Sequence, residues 1–157
     1  MSFQVMIPWE QRNRRRTLRD RIATRLALTA GYVLARQPAR RLRRIMERLS
    51  RGARPATRAE TQAAVDSVLS ASLPMHGLKA CLPRSVSVAL RCRLRGTWPT
   101  WCTGVSRSLP PAAHAWVEAD GEPVGEGDGD RGEFAFVKML VVAPRDERTY
   151  GTARTRS

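Results

Sequence analysis

The sequence predicts an α+β domain: N-terminal helices, then one more helix packed on an antiparallel sheet. Two observations predict this class. Apolar residues recur at helical spacing up to Gly96 and alternate with a period of two afterwards. The alternating segments are joined by a hairpin signal, Asp120-Gly121, so the strands follow one another antiparallel.

Residues 15–36 read as the first helix, because Leu18, Ile22 and Leu26 recur at i, i+4, i+8 and Val33 and Leu34 extend the stripe. This stripe is expected to face the core. Pro38 separates it from a second helix, 39–51, with Leu42, Ile45, Met46 and Leu49 inward, arginines outward and Gly52 as its stop. Thr57 and Glu60 form a capping box that opens a third helix, 58–72, with Val65, Val68 and Leu69 inward. Pro74 and Gly77 break it. Cys81-Leu82-Pro83 then opens a fourth helix with Val86, Ala89, Leu90 and Leu94 at helical spacing. Proline suits its first turn, where a missing N–H costs nothing.

After Gly96, residues 97–105 carry β-formers, with Pro99 marking an edge or a weak start. Residues 113–119 alternate cleanly. His114, Trp116 and Glu118 fall on one face and Ala115, Val117 and Ala119 on the other. Residues 122–126 return as a strand, 125–132 read as loop, and 133–142 form a last strand. The expected organisation is a basic helical region over 1–72, a core over 73–143 and a polar, frayed tail over 144–157, within one compact domain.

The charge is unevenly spread. The 157 residues carry 28 Lys and Arg against 14 Asp and Glu. Residues 1–60 hold 16 Arg against Glu10, Asp20, Glu47 and Glu60, a net +12, whereas residues 116–157 are net −3. The basic helices read as a solvated or protein-docking face. Nucleic acid is not expected, because aromatic side chains that would stack bases are not interleaved with the arginines. A basic amphipathic helix also suits an anionic membrane surface. No apolar run is long enough to span a bilayer and no secretory signal is visible, so the cytoplasm is the expected compartment. Three cysteines without CxxC spacing argue against a disulfide framework and a zinc knuckle. The Asp-Gly run at 127–130 lacks the Glu spacing of a calcium loop. No metal and no cofactor is expected.

Cys81 is the candidate nucleophile, because unpaired N–H groups and the helix dipole favour a thiolate at a helix N-terminus. Cys92, in mid-helix, and Cys102, in a strand, lack that setting. His114 is the candidate base. A helix-N-terminal Cys facing a His on an antiparallel strand is the arrangement of papain-like and transglutaminase-like enzymes, in which the His takes the thiol proton and returns it to the leaving amine. Glu118, Asp120, Glu126 and Asp128 are the candidates to orient the His. A three-residue loop centred on Asp120 sets Glu126 opposite His114, and a shift of one residue moves it to the other face.

Three segments together resemble a known family: Cys81-Leu-Pro-Arg-Ser85 opening a helix, Trp98-Pro-Thr-Trp-Cys-Thr-Gly-Val105, and Ala113-His-Ala-Trp-Val-Glu118. They are similar to the lasso-peptide B proteins, in particular the standalone leader peptidase of actinobacteria. The resemblance covers roughly residues 15–142. It implies a transglutaminase-like cysteine peptidase that removes the leader from a ribosomally made precursor peptide. A small separate protein presents the leader, and a separate ATP-dependent cyclase then closes the macrolactam. Carried over to this chain, the nucleophile is Cys81 and the base His114. Many members have an Asn-Asp pair twelve residues beyond the His, where this chain has Gly125-Glu126, so Glu126 takes the third place with a longer side chain. Trp98, Trp101 and Trp116 are the expected substrate contacts. The Cys81 N–H is the expected oxyanion donor, with His76 as an alternative.

Overall fold

The computed structural model describes residues 17–107, 110–125 and 136–145. Thr17 caps the first helix, α1 (Leu18–Ala35), by accepting from the Asp20 N–H. Pro38 precedes α2 (Ala39–Leu49), which buries Leu42 and Met46. The expected capping box is formed: Thr57 Oγ1 accepts from the Glu60 N–H at 3.2 Å and Glu60 Oε2 from the Thr57 N–H at 2.9 Å. It opens α3 (Arg58–Ala71), which buries Ala64, Val65 and Val68. Two short 3₁₀ turns, Leu73–His76 and Leu78–Ala80, bridge to α4 (Cys81–Arg93).

Pro99 divides the strand expected over 97–105. The residues before it form β2 (Thr97–Trp98), which pairs in parallel with β1 (Arg54–Pro55), a ladder not foreseen from sequence. The residues after it form β3 (Thr100–Ser106) in the main sheet. A residue without an N–H cannot carry a ladder through, so the chain changes partner there. The main sheet has the order β5-β4-β3-β6, with β4 (Ala113–Ala119), β5 (Glu122–Pro123) and β6 (Phe136–Val142) all antiparallel to their neighbours. The α+β class and the antiparallel sheet are as expected.

Helices α1 and α3 pack on α4, and α4 packs on β4. One apolar cluster runs from Leu28 and Met46 through Val68, Val86 and Trp98 to Val142, so helices and sheet share a core. Arg145, at the head of the segment expected to fray, is held by the chain after α2: its carbonyl accepts from the Gly52 N–H and its N–H donates to the Ser50 carbonyl. Among the described residues, no helix is long and apolar enough to cross a membrane.

The inward face of α1 is not the expected one. Leu18, Ile22, Leu26 and Val33 are 74%, 51%, 61% and 53% exposed, and the buried residues are Thr24, Ala27, Leu28 and Gly31. Small residues let α1 lie close against α4. A Cβ at Gly31 would collide with Ser87 Oγ. The buried Arg91 of α4 also dictates the orientation: its guanidinium donates to Asp20 Oδ1 at 2.7 Å and to Thr24 Oγ1 at 3.1 Å. Leaving that charge unpaired costs more than exposing a few aliphatic side chains.

The turn after β4 also differs. Asp120 and Gly121 have φ of 54° and 80°, the two positive values of a two-residue type I′ hairpin. Glu118 pairs with Pro123 and Ala119 with Glu122. The connection is therefore one residue shorter than the loop that set Glu126 opposite His114, and β5 ends at Pro123.

Candidate active site

Cys81 is the first residue of α4 and is half-buried. His114 lies at the start of β4, opposite Gly104 of β3. Helix packing against the strand brings the two side chains together, and the thiol is hydrogen-bonded to the imidazole. That bond is the largest cause of a lowered thiol pKa. Burial opposes it, while the backbone N–H groups of Ala115 and Leu82 and the charge of the imidazole reinforce it. Burial drives the other two cysteines the opposite way. Cys92 is pushed up to about 11 and Cys102 to about 12, the latter also by the carboxylate of Glu118.

His114 sits in an aromatic group. Its ring stacks on Phe136 at 4.8 Å between centroids and on Trp116 at 5.7 Å, with interplanar angles of 26° and 14°. Trp116 and Phe136 tilt against each other at 5.7 Å. The absent side chain of Gly104 makes this possible, because a Cβ there would meet Trp116 Cη2 at 3.2 Å and collide with the Val137 carbonyl. The Trp116 indole N–H donates to Glu118 Oε1 at 2.9 Å, and Lys138 Nζ donates to Glu118 Oε2 at 2.8 Å. The Lys138 ammonium pKa is raised by that carboxylate. A buried carboxylate, paired with the exposed Lys138, thus anchors the indole that packs on His114, a chain of contacts that fixes the imidazole plane.

The remaining expected site residues are distributed as follows. Glu118 shares the His114 face but is engaged by Trp116 and Lys138. Asp120 lies in the turn beyond the opposite end of β4, roughly 20 Å along the strand from His114, too far to orient it. Glu126 and Asp128 lie outside the described residues. Trp98 and Trp101 are fully buried, which corrects their expected role as substrate contacts. The Trp98 indole donates to the Val142 carbonyl at 3.1 Å and the Trp101 indole to Ser85 Oγ at 3.0 Å. Trp101 therefore ties the first turns of α4 to the sheet and so steadies Cys81. Trp116 is buried against the imidazole. His76 is exposed, and its Nε2 is 2.9 Å from the Leu69 carbonyl, so that ring closes the end of α3.

Sequence reasoning missed Phe136, Ser85 and Lys138. Alternation puts Phe136 and Lys138 on one face of β6, but only the pairing of β6 with β3 brings that face to His114 and Glu118. A bulge between Thr103 and Gly104 intervenes in that pairing, and no local pattern signals it. A small cavity between α3, α4 and β4 is lined by Val65, Arg84, Ser85, Val88, Ala115, Trp116, Val117 and Val124-Gly125, and neither Cys81 nor His114 lines it. Among the described residues no three metal-ligating side chains cluster.

Residues 24–139 match the profile of the transglutaminase-like superfamily. The chain belongs to that superfamily. The match spans most of the chain and includes both Cys81 and His114. No curated protein and no solved structure matches the chain. Transglutaminase-like proteins are generally cysteine-based hydrolases or acyltransferases, and a thiol with a lowered pKa beside an imidazole fits both chemistries.

Proposed function

We propose that this transglutaminase-like protein is a cytoplasmic cysteine peptidase that removes the leader from a ribosomally made lasso-peptide precursor. A separate ATP-dependent cyclase then closes the macrolactam, and a small leader-binding protein presents the substrate. The observation that carries the reading is the hydrogen-bonded Cys81–His114 pair at the junction of α4 and β4. The motif segments around Cys81, Trp98 and His114 support the substrate class by their resemblance to the lasso leader peptidases.

In the mechanism, His114 holds the thiol proton and Cys81 sulfur attacks the scissile carbonyl carbon. The developing oxyanion is met by the N–H of Cys81 at the positive end of α4. Collapse breaks the C–N bond, and the imidazolium returns its proton to the leaving amine. Water, deprotonated by His114, then hydrolyses the thioester. Trp116 and Phe136 keep the imidazole plane fixed and offer π-faces to its cationic form. The resemblance, not the strand register, assigns Glu126 as the acidic member of the triad.

Mass spectrometry of the precursor, incubated with this protein and its leader-binding partner, tests the reading. Leader and core should separate with the addition of one water, and Cys81→Ala should abolish the separation. A product joined to an added amine without that water would assign the site to acyl transfer instead. Glu126→Gln should slow cleavage strongly; if Glu118→Gln or Asp128→Asn does so while Glu126→Gln does not, the third residue is misassigned.

A further inference from the structure

The exposed face of α1 has a composition that solvent alone does not explain. Leu18, Ile22, Leu26, Thr29 and Val33 fall within an arc of about 80° at 100° per residue and extend about 22 Å along the axis. All five are exposed, and the four aliphatic ones are among the most exposed large apolar side chains of the described residues. The flanks are cationic: Arg21 and Arg25 border one edge of the stripe, Arg19 the other, and Arg36 follows its end, all of them exposed. The helix has one carboxylate, Asp20, which is turned to the opposite side and bound by Arg91 and Arg95. On α2, Arg40, Arg44 and Arg48 are exposed as well.

We propose that α1 docks this protein onto the surface of an anionic lipid bilayer. Leu18, Ile22, Leu26 and Val33 enter the acyl boundary, and Arg19, Arg21, Arg25 and Arg36 engage lipid phosphates. The pairing of an apolar stripe with arginines on both flanks matches the layered chemistry of that surface, apolar within and anionic at the headgroups. Arginine stems reach outward from the stripe while their guanidinium groups stay at headgroup level. Nucleic acid offers phosphates but nothing for the stripe. A second copy of the chain would set arginine flanks against arginine flanks. The net +12 of residues 1–60 fits an extended negative surface better than the register of a single partner helix. This reading is independent of the peptidase chemistry.

The test is co-sedimentation of the full chain with vesicles of phosphatidylcholine alone or mixed with phosphatidylglycerol, at about 0.1 M salt. Binding to the mixed vesicles should exceed binding to the neutral ones by about tenfold or more. Ile22→Ser with Leu26→Ser should cost about tenfold, and Arg21→Gln with Arg25→Gln a similar factor that shrinks at high salt. The serine pair changes only exposed positions, and its melting temperature should match the parent. If the pair unfolds, an environment-sensitive fluorophore on Ile22→Cys in a Cys81→Ala background replaces it and should shift to the blue on mixed vesicles. No binding to mixed vesicles, or binding that the serine pair leaves unchanged, overturns the proposal. So does a dimer in light scattering that the serine pair dissolves. A fluorophore that responds to a leucine-seamed, glutamate-flanked helical peptide but not to vesicles also overturns it, and makes the stripe a protein interface.

Discussion

The first and last turns of α4 carry the same residue type and give it opposite chemistry. Cys81 opens the helix, is only half-buried, and meets an imidazole and two backbone N–H groups that favour its thiolate. Cys92 sits on the inward face three turns later, where burial holds its thiol at about 11. The same helix that presents one sulfur for reaction shields the other. The difference teaches that position along an element decides what a cysteine does. Helix ends supply unpaired donors and access, whereas helix interiors supply only dielectric cost.

The sharpest way to break this comparison is to label the cysteines. At pH 7 iodoacetamide should modify Cys81 about 100-fold faster than Cys92 or Cys102, since a thiol near 11 is only about 10⁻⁴ thiolate there. Mass mapping of the adducts reads the ratio, and equal labelling of Cys81 and Cys92 would erase the contrast. The last turn should prove structural when Asp20→Asn removes the partner of buried Arg91. Chemical denaturation should show a loss of about 2–3 kcal/mol, with Cys81 labelling in the native protein unchanged. His114→Ala should slow Cys81 labelling at pH 7 by about tenfold and move its pH midpoint upward. The direction follows because the imidazole bond is the largest cause lowering that pKa. An unmoved midpoint would assign the lowering to the helix end instead.

The smallest effect lies away from α4. Thr57→Ala should remove one half of the α3 capping box and cost about 1 kcal/mol. Glu60, the other half, is held down to about 2 by the guanidinium of Arg54 and by Thr57. Its folded pKa is lowered, so its contribution is complete above its ordinary 4.5 and is lost as pH falls through about 2. Urea midpoints should fall from about pH 6 to about pH 2 in Thr57→Ala and the parent alike, because the backbone N–H at position 57 and Arg54 still bind the Glu60 carboxylate in both.

Much of the site could be read along the chain, because its decisive signals are local. Pro83 in the first turn of a helix, with Cys81 two residues before it, is a short-range pattern, and so is the alternation around His114. The capping box of α3 was legible for the same reason: both of its hydrogen bonds close within three residues. What failed depended on partners distant in sequence. The apolar spacing of α1 marks a helix correctly but says nothing of which face meets α4. That choice rests on Arg91, 71 residues from Asp20, and on the fit of Gly31 against Ser87. The tryptophans around Pro99 looked available to substrate, yet the split of that segment between two ladders buries both.

The sequence by itself determined the helices, the hairpin signal and the two side chains, Cys81 and His114, because caps, periodicity and turn chemistry are properties of neighbouring residues. Only the tertiary structure decided which face of α1 stays exposed and how the segment around Pro99 divides between two ladders. It also decided which aromatic rings surround the imidazole. Each of these is settled by packing between segments far apart in the chain, where a charge that must be paired or a backbone that must fit outweighs local preference.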